Sequence, residues 1–287
     1  MTNSISRMAE ERFGIKTDPG DVERLHMHLL NTYGAGNAIP PLEAKSRYFP
    51  SDILKKVFLS GEAAGFLTVN ETYFFREPAH FSFLFNLLPS FEKTGLRICC
   101  AAVSTGCEAY SIAMMIESFN RSIEKPLSYH IDAFDINPKV IDTACQGVYS
   151  ERALREDGSC FRYMAEPYLN IISNSMAGGY RIDPVLKKNI NFFVHNLMDE
   201  LPPKVYDIIF FRNAFIYFSP QNRERVLSNL SVVLKDGGIL ILGVSETAGA
   251  KHPALEGKNQ KDDFYFQKPL KCSIMGAKQE EKCSFLS

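Results

Sequence analysis

Short apolar segments of strand character alternate with amphipathic helical segments through most of the chain, and this alternation limits the folds that the sequence can adopt. The strand segments are Ile98–Val103, Tyr129–Asp135, Ile190–Val194, Tyr206–Phe211, Gly238–Val244 and Asp263–Phe266, the last of them expected at an edge of the sheet. Helices follow at Gly106, at Asn137-Pro138 as far as Gly147, and from Ser219-Pro220 to Gly237-Gly238. The pattern predicts an α/β fold with a mostly parallel sheet, covered by helices and joined by right-handed crossovers.

The turn after the first strand is the first candidate ligand site. In open α/β sheets, ligands lie outside the carboxyl ends of the strands, beside helix N-termini. Gly106 is expected to let a ligand approach the backbone closely, and Glu108 places a carboxylate at the start of the helix. A carboxylate at this position favours a cationic or hydroxyl-bearing ligand over a phosphate.

A second candidate position lies at the end of the next strand. Asp135 follows Gly106 by about thirty residues, where a carboxylate can accept both hydroxyl groups of a ribose. The first turn lacks the full G-x-G-x-x-G fingerprint and the chain has no G-x-x-x-x-G-K-[ST] motif, which disfavours NAD and ATP. A nucleoside without a pyrophosphate fits better, and S-adenosylmethionine is the common one. From the residues alone, Asp135 before Asn137-Pro138 is equally well explained as a turn former.

The patterns divide the chain into four parts. Residues 1–68 show only helical patterns, with Asp21 expected to cap one helix, and predict a small N-terminal helical domain. Residues 69–95 are an inter-domain linker and helix, and residues 96–269 hold the alternating segments. Within these, residues from about 150 to 189 are too long for a simple connection and predict an inserted β-subdomain. Residues 270–287 are polar and are expected to form a mobile tail.

Composition excludes several classes of function. The 32 basic and 33 acidic residues balance to a net charge of −1, which argues against general nucleic-acid binding. The seven cysteines include no CxxC pair and no secretory signal precedes them, so reduced thiols and no metal site are expected. No apolar run reaches the roughly 18 residues of a membrane span. A cytoplasmic protein, monomeric by default, is the resulting expectation.

Five sequence motifs together resemble the chemotaxis receptor glutamate methyltransferases, the CheR family, over most of residues 1–268. The motifs are Asn70-Glu-Thr-Tyr-Phe-Phe-Arg76, Ala101-Ala-Val-Ser-Thr-Gly-Cys-Glu-Ala-Tyr-Ser111, Phe134-Asp-Ile-Asn137, Phe211-Arg-Asn-Ala-Phe-Ile-Tyr-Phe218 and Gly243-Val-Ser-Glu246. The resemblance implies a Rossmann-like methyltransferase domain with a helical N-terminal domain and an inserted β-subdomain. It also implies S-adenosylmethionine as cofactor, S-adenosylhomocysteine as product, and glutamates on the cytoplasmic helices of methyl-accepting chemotaxis proteins as substrate.

The resemblance also implies roles for individual residues. Arg76 and Tyr217 are the two expected at the methyl-transfer site. The cofactor-binding residues implied are Asn70, Thr72, Arg76, Glu108, Asp135, Asn196, Leu197, Arg212 and Asn213. Glu108 and Asp135 bind the amino-acid and ribose parts, and Asn196-Leu197 frames the adenine. The family commonly has Gly-Glu-Glu-Pro-Tyr where this chain has Gly106-Cys-Glu-Ala-Tyr110, so the first of the two acids is absent.

Two other functions remain open from the sequence. One is a scaffold of the same fold that binds S-adenosyl ligands or docks receptors without turnover. The other is a methyltransferase for a small molecule, against which the helical domain and the inserted subdomain both argue. Without the resemblance, Tyr217 between Ile216 and Phe218 is more readily explained as a core tyrosine, and Arg212 as a cap of the sheet end.

Overall fold

A computed structural model describes residues 2–33, 51–68, 71–172, 178–260 and 263–270. The strands in this part of the chain are β1 Leu96–Ala101, β2 Tyr129–Asp135, β3 Val148–Tyr149, β4 Leu169–Ile171, β5 Tyr180–Ile182, β6 Ile190–Val194, β7 Tyr206–Phe211, β8 Leu234–Leu242, β9 Glu256–Gln260 and β10 Asp263–Gln267. The helices are α1 Thr2–Phe13, α2 Pro19–Tyr33, α3 Ser51–Leu59, α4 Ala64–Leu67, α5 Pro78–Leu87, α6 Cys107–Asn120, α7 Pro138–Gln146, α8 Arg162–Ala165, α9 Pro184–Lys187 and α10 Pro220–Val233.

Seven strands form one sheet in the order β6-β2-β1-β7-β8-β10-β9. The pairs from β6 to β8 are parallel, whereas β10 pairs antiparallel with both β8 and β9. A second, antiparallel sheet of three short strands, in the order β3-β5-β4, lies within the stretch between α7 and β6. The α/β class with N-terminal helices and an inserted β-sheet is therefore confirmed.

The two faces of the main sheet belong to two separate cores. Cys99 and Phe211 pack with Leu25 of α2, so the N-terminal helices cover one face. Cys100 packs with Met114 of α6 on the other face. The adjacent Cys99 and Cys100 thus lie on opposite faces of the sheet, because successive side chains of a strand alternate.

Three expectations about element boundaries are wrong. The last strand is not at the edge of the sheet, because β9, with the polar sequence Glu-Gly-Lys-Asn-Gln, pairs outside β10 and shows no apolar alternation by which it could be recognised. The helix from Pro220 ends at Val233, and Gly237-Gly238 lies inside β8 instead of terminating the helix. At the N-terminus, α2 begins at Pro19. The residue before it, Asp18, takes the capping role that was expected of Asp21, since the Asp18 carboxylate accepts the backbone amide of Asp21 at 2.8 Å.

Candidate functional site

A cavity of about 990 Å³, counting its open mouth, lies at the carboxyl ends of β1, β2 and β7. Nine of the residues named from the sequence line it: Thr72, Arg76, Glu108, Asp135, Asn196, Leu197, Arg212, Asn213 and Tyr217. The tenth, Asn70, lies outside the described residues. Segments far apart in the sequence are thus brought to one place, as expected where parallel strands end at the same edge of a sheet.

The N-terminal helical layer completes the wall of this cavity. Four residues of this layer are among those that line it: Phe13 at the end of α1, Ile15 just after it, Ala64 at the start of α4 and Thr68 directly after α4. The Asn196 side chain joins the two layers, since its amide nitrogen donates to the Arg12 carbonyl at 2.7 Å. No signal in the sequence pointed to these four lining residues.

Backbone strain is concentrated around the cavity. In the described part of the chain, five non-glycine residues have φ between 54° and 57°: Phe75, Glu77, Ala102, Ser104 and Asn213. They belong to the linker before α5, the turn after β1 and the turn after β7, and each of these segments contributes lining residues. Left-handed backbone is costly for residues with a Cβ and persists where the surroundings impose it, so this clustering supports a functional site.

Gly106 does not have the role that was expected from the sequence. It has φ of 87°, and a Cβ at this position would lie 2.8 Å from the Cβ of Ala144 and 3.2 Å from the ring of Phe192. Its missing side chain therefore allows α6 to pack closely against α7 and β6. It faces the protein interior and is not among the residues that line the cavity.

Asp135 is buried at the end of β2 and accepts two backbone amides. Its carboxylate oxygens accept from Ser104 at 2.9 Å and from Asn137 at 3.0 Å. Burial raises the pKa of Asp135, and these amide hydrogen bonds oppose the shift. Each oxygen retains a further lone pair, so the turn-forming role and a ribose-binding role are compatible.

Arg212 is the centre of a buried ionic network. Its guanidinium donates to Glu108 at 3.0 Å and to Glu77 at 3.1 Å, and also to the carbonyl of Arg76. The Arg212 side chain is only 2% exposed. Burial raises the pKa of Glu108, while the charge of Arg212 opposes the increase. The network therefore fixes the direction of the Glu108 carboxylate at the cavity wall.

Glu77 is a network member that sequence reasoning missed. It accepts from the Asn213 amide at 2.8 Å and from the Val244 backbone at 3.3 Å, in addition to Arg212. Burial alone would raise its pKa, but His80, the charge of Arg212 and the Asn213 amide together hold the pKa of Glu77 well below its usual value. The sequence does hold one signal for Glu77, namely an acidic residue between Arg76 and Pro78 at the predicted start of a helix.

Glu77 is expected to contribute stability that depends on pH. Because its pKa is lower in the folded state than in the unfolded chain, this contribution is present above about pH 4.3 and is lost as the pH falls towards the folded pKa. We expect Glu77→Gln to lower the free energy of unfolding at pH 7 by about 1–3 kcal/mol. In urea titrations, the difference between the wild type and this variant should shrink at pH 3.5, and an undiminished difference there would contradict the assignment.

Glu246 is a second buried acid for which the sequence suggested no role. It accepts the backbone amides of Asn213 at 2.7 Å, Gly243 at 2.9 Å and Ile216 at 3.1 Å. Burial raises the pKa of Glu246, and these three amides oppose the shift. The carboxylate thereby ties the ends of β7 and β8 to the turn that carries Tyr217.

The inserted segment holds one rim of the cavity. Tyr73 donates its hydroxyl to Asp157 at 2.6 Å, and Arg155 pairs with Glu71 at 2.7 Å. The guanidinium carbons of Arg155 and Arg76 lie 4.4 Å and 5.7 Å from the centroid of the Tyr73 ring. The linker and the inserted segment therefore meet beside Arg76.

The lining residues fit an S-adenosyl ligand. The Ser104 hydroxyl oxygen and the His195 Nε2 are buried without a hydrogen-bond partner among the described residues. Both residues line the cavity, together with the carboxylates of Glu108 and Asp135 and the apolar side chain of Leu197. This combination offers acids for an ammonium group and a ribose beside an apolar wall for a base. Within the described residues, no group of three His, Cys, Asp or Glu side chains could hold a metal ion.

Comparison with known proteins gives consistent matches. Residues 70–263 match the family model described as CheR methyltransferase, SAM binding domain. The chemotaxis protein methyltransferase of Borreliella burgdorferi is 35% identical over 191 residues, which are 63% of this chain and 65% of the relative. That of Vibrio parahaemolyticus is 36% identical over 209 residues, 69% of this chain and 74% of the relative. That of Vibrio anguillarum is 34% identical over 228 residues, 75% of this chain and 81% of the relative.

Proposed function

Because the chain belongs to the CheR methyltransferase family, we propose that it transfers the methyl group of S-adenosylmethionine to glutamate side chains on the cytoplasmic helices of chemoreceptors. The products are glutamate methyl esters, which serve chemotactic adaptation, and S-adenosylhomocysteine. The observation that supports this most directly is the cavity in which Glu108, Asp135 and Arg212 meet Arg76 and Tyr217.

The cofactor is S-adenosylmethionine, and it supplies an electrophilic sulfonium methyl group when bound. We assign its ammonium group to Glu108, whose carboxylate Arg212 holds in place at 3.0 Å. We assign its ribose hydroxyls to Asp135 and its adenine to the wall formed by Asn196 and Leu197. Thr72, Asn213 and Asn70 complete the proposed set, Asn70 on the resemblance alone.

The acceptor needs no general base. A glutamate side chain has a pKa near 4.3 and is already ionised at neutral pH. Transfer of the methyl group to this carboxylate would require no proton transfer, because the bound cofactor would supply the methyl group as an electrophile and would leave as the neutral thioether. Catalysis therefore comes from alignment and partial desolvation of the carboxylate.

Arg76 and Tyr217 divide the remaining tasks. A strong ion pair to the attacking oxygen would slow the reaction, because the charge on that oxygen is lost as the ester forms. We therefore assign Arg76 to the carboxylate of the cofactor and to local geometry, consistent with its donation to the Glu71 carbonyl at 2.6 Å. We assign to Tyr217 the orientation of the glutamate through a neutral hydrogen bond.

The partners follow from the family. We propose methyl-accepting chemotaxis proteins as substrates, action in the cytoplasm, and a monomeric enzyme. Across the described helices, none combines the length and the apolar character needed to cross a membrane.

Transfer of labelled methyl groups tests the proposed function. The purified chain is incubated with S-adenosylmethionine labelled at the methyl group and a cytoplasmic chemoreceptor fragment. We expect the label to appear on glutamate residues of the receptor fragment. Treatment with base should release it as labelled methanol, because base hydrolyses methyl esters. Binding of the cofactor without transfer to any receptor fragment would favour a non-catalytic scaffold instead.

Tyr217→Phe tests the role of the hydroxyl. Removing one orienting hydrogen bond should lower kcat about tenfold or more, because small misplacements of the reacting groups are costly. The Kd for S-adenosylhomocysteine, measured by calorimetry, should change less than about twofold. Full turnover in the variant would exclude this role for Tyr217.

A further inference from the structure

The turn Phe215–Tyr217, between β7 and α10, carries the tyrosine that we place at the transfer site. Glu246 accepts the Ile216 amide at 3.1 Å. The Tyr217 carbonyl accepts the Lys16 amide at 2.8 Å, which connects the turn to the N-terminal layer. These contacts restrain the turn and leave the Ile216 and Phe218 carbonyl groups to a different partner.

Arg223, in the first turn of α10, supplies that partner. Its Nε donates to the Phe218 carbonyl at 3.1 Å, and one terminal nitrogen reaches the Ile216 carbonyl at 3.5 Å. Its guanidinium carbon lies 5.0 Å from the centroid of the buried Phe215 ring. One planar guanidinium therefore contacts the residues directly before and after Tyr217 and the aromatic ring that anchors the turn.

We propose that Arg223 is a positioning residue for methyl transfer, which fixes the backbone on both sides of Tyr217 and thereby the place of its hydroxyl group. The proposal rests on the function proposed above. Arg223 does not line the cavity, so its effect on the reaction passes through Tyr217.

The contacts that remain without Arg223 distinguish its proposed role in positioning Tyr217 from a general role in stabilising the fold. Without the Arg223 side chain, Glu246 and Lys16 still hold the Ile216 amide and the Tyr217 carbonyl. The turn is then expected to remain folded but to lose the restraint on the Ile216 and Phe218 carbonyl groups. A loss of alignment lowers kcat, whereas the cofactor-binding residues on β1, β2 and α6 stay in place.

A double-mutant cycle tests the proposal. Arg223→Ala, Tyr217→Phe and the double variant are compared with the wild type in the receptor methylation assay. We expect Arg223→Ala to lower kcat about tenfold, with a Kd for S-adenosylhomocysteine within about twofold of wild type. In the Tyr217→Phe background, the same change should alter kcat by less than about twofold, because both substitutions act through one group.

Two further variants control for charge and for folding. Arg225→Ala removes the same charge from an exposed position on α10 and should leave kcat unchanged. Arg223→Lys keeps the charge without the planar guanidinium and should recover only part of the lost turnover.

Two results would overturn the proposal. One is wild-type turnover in Arg223→Ala, and the other is an equal loss of kcat from Arg223→Ala in the wild-type and Tyr217→Phe backgrounds. A wild type that binds S-adenosylhomocysteine but methylates no receptor fragment would instead overturn the proposed function.

Discussion

Replacing Arg212 by methionine is expected to lower the free energy of unfolding by about 3–5 kcal/mol and to abolish methyl transfer. The arginine is 2% exposed and pairs with two carboxylates, Glu108 and Glu77, that are 14% and 20% exposed. Methionine fills similar space but leaves both acids buried without their shared cation. Breaking a buried pair by removing one partner is costly for this reason, whatever the net value of the intact pair.

Urea unfolding at pH 7 measures the loss of stability in Arg212→Met. Two further variants show whether this loss comes from the buried ionic network. Arg225→Met removes a charge from an exposed position on α10 and should alter stability by less than about 0.5 kcal/mol. Arg212→Lys retains the charge but cannot donate to both acids and the Arg76 carbonyl in the same geometry, so an intermediate loss is expected. A change below about 1 kcal/mol for Arg212→Met would show that the network contributes little to the fold.

Asp135→Ala is expected to weaken binding of S-adenosylmethionine and S-adenosylhomocysteine by about a hundredfold or more. Charged hydrogen bonds are worth about 1.5–3 kcal/mol each, and the variant lacks the carboxylate that we propose accepts the two ribose hydroxyls. It also frees the Ser104 amide, which Asp135 accepts at 2.9 Å, so the turn after β1 loses its support. Calorimetry with both ligands measures the effect.

The matched control is Asp142→Ala, which removes an exposed carboxylate from α7 and should bind both ligands as the wild type does. Unaltered affinity in Asp135→Ala would mean that the ligand lies elsewhere. Failure of the wild type to bind either ligand would remove the basis of the proposed function.

The parallel part of the sheet could be predicted closely from the sequence. The boundaries of β2, β6 and β7 agree with the prediction, and β7, which is buried along most of its length, has the nearly continuous apolar sequence expected of a central parallel strand. The polar β9 gave no such signal, since an edge strand needs no apolar face to pair. Gly237-Gly238 was misread because glycine pairs interrupt strands as well as helices.

The site residues named from the sequence are those in recognisable motifs, and nine of them line one cavity. The residues that hold them in place were not found in this way. Glu77 reaches Val244 across 167 positions of the chain, and Arg212 reaches Glu108 across 104. Such contacts form only when distant segments fold together, and no local periodicity encodes them. The role of Gly106 was misjudged for the same reason, since Ala144 and Phe192 become its neighbours only in the folded chain.

The cavity wall contributed by Phe13, Ile15, Ala64 and Thr68 has a consequence for the lifetime of the protein. A ligand that binds between two layers stabilises the folded state in which they are packed together. The gain in the free energy of unfolding increases with the logarithm of the ligand concentration once this exceeds Kd. A ligand bound in this cavity is therefore expected to oppose separation of the helical layer from the sheet, and with it cleavage by proteases that act on the opened chain.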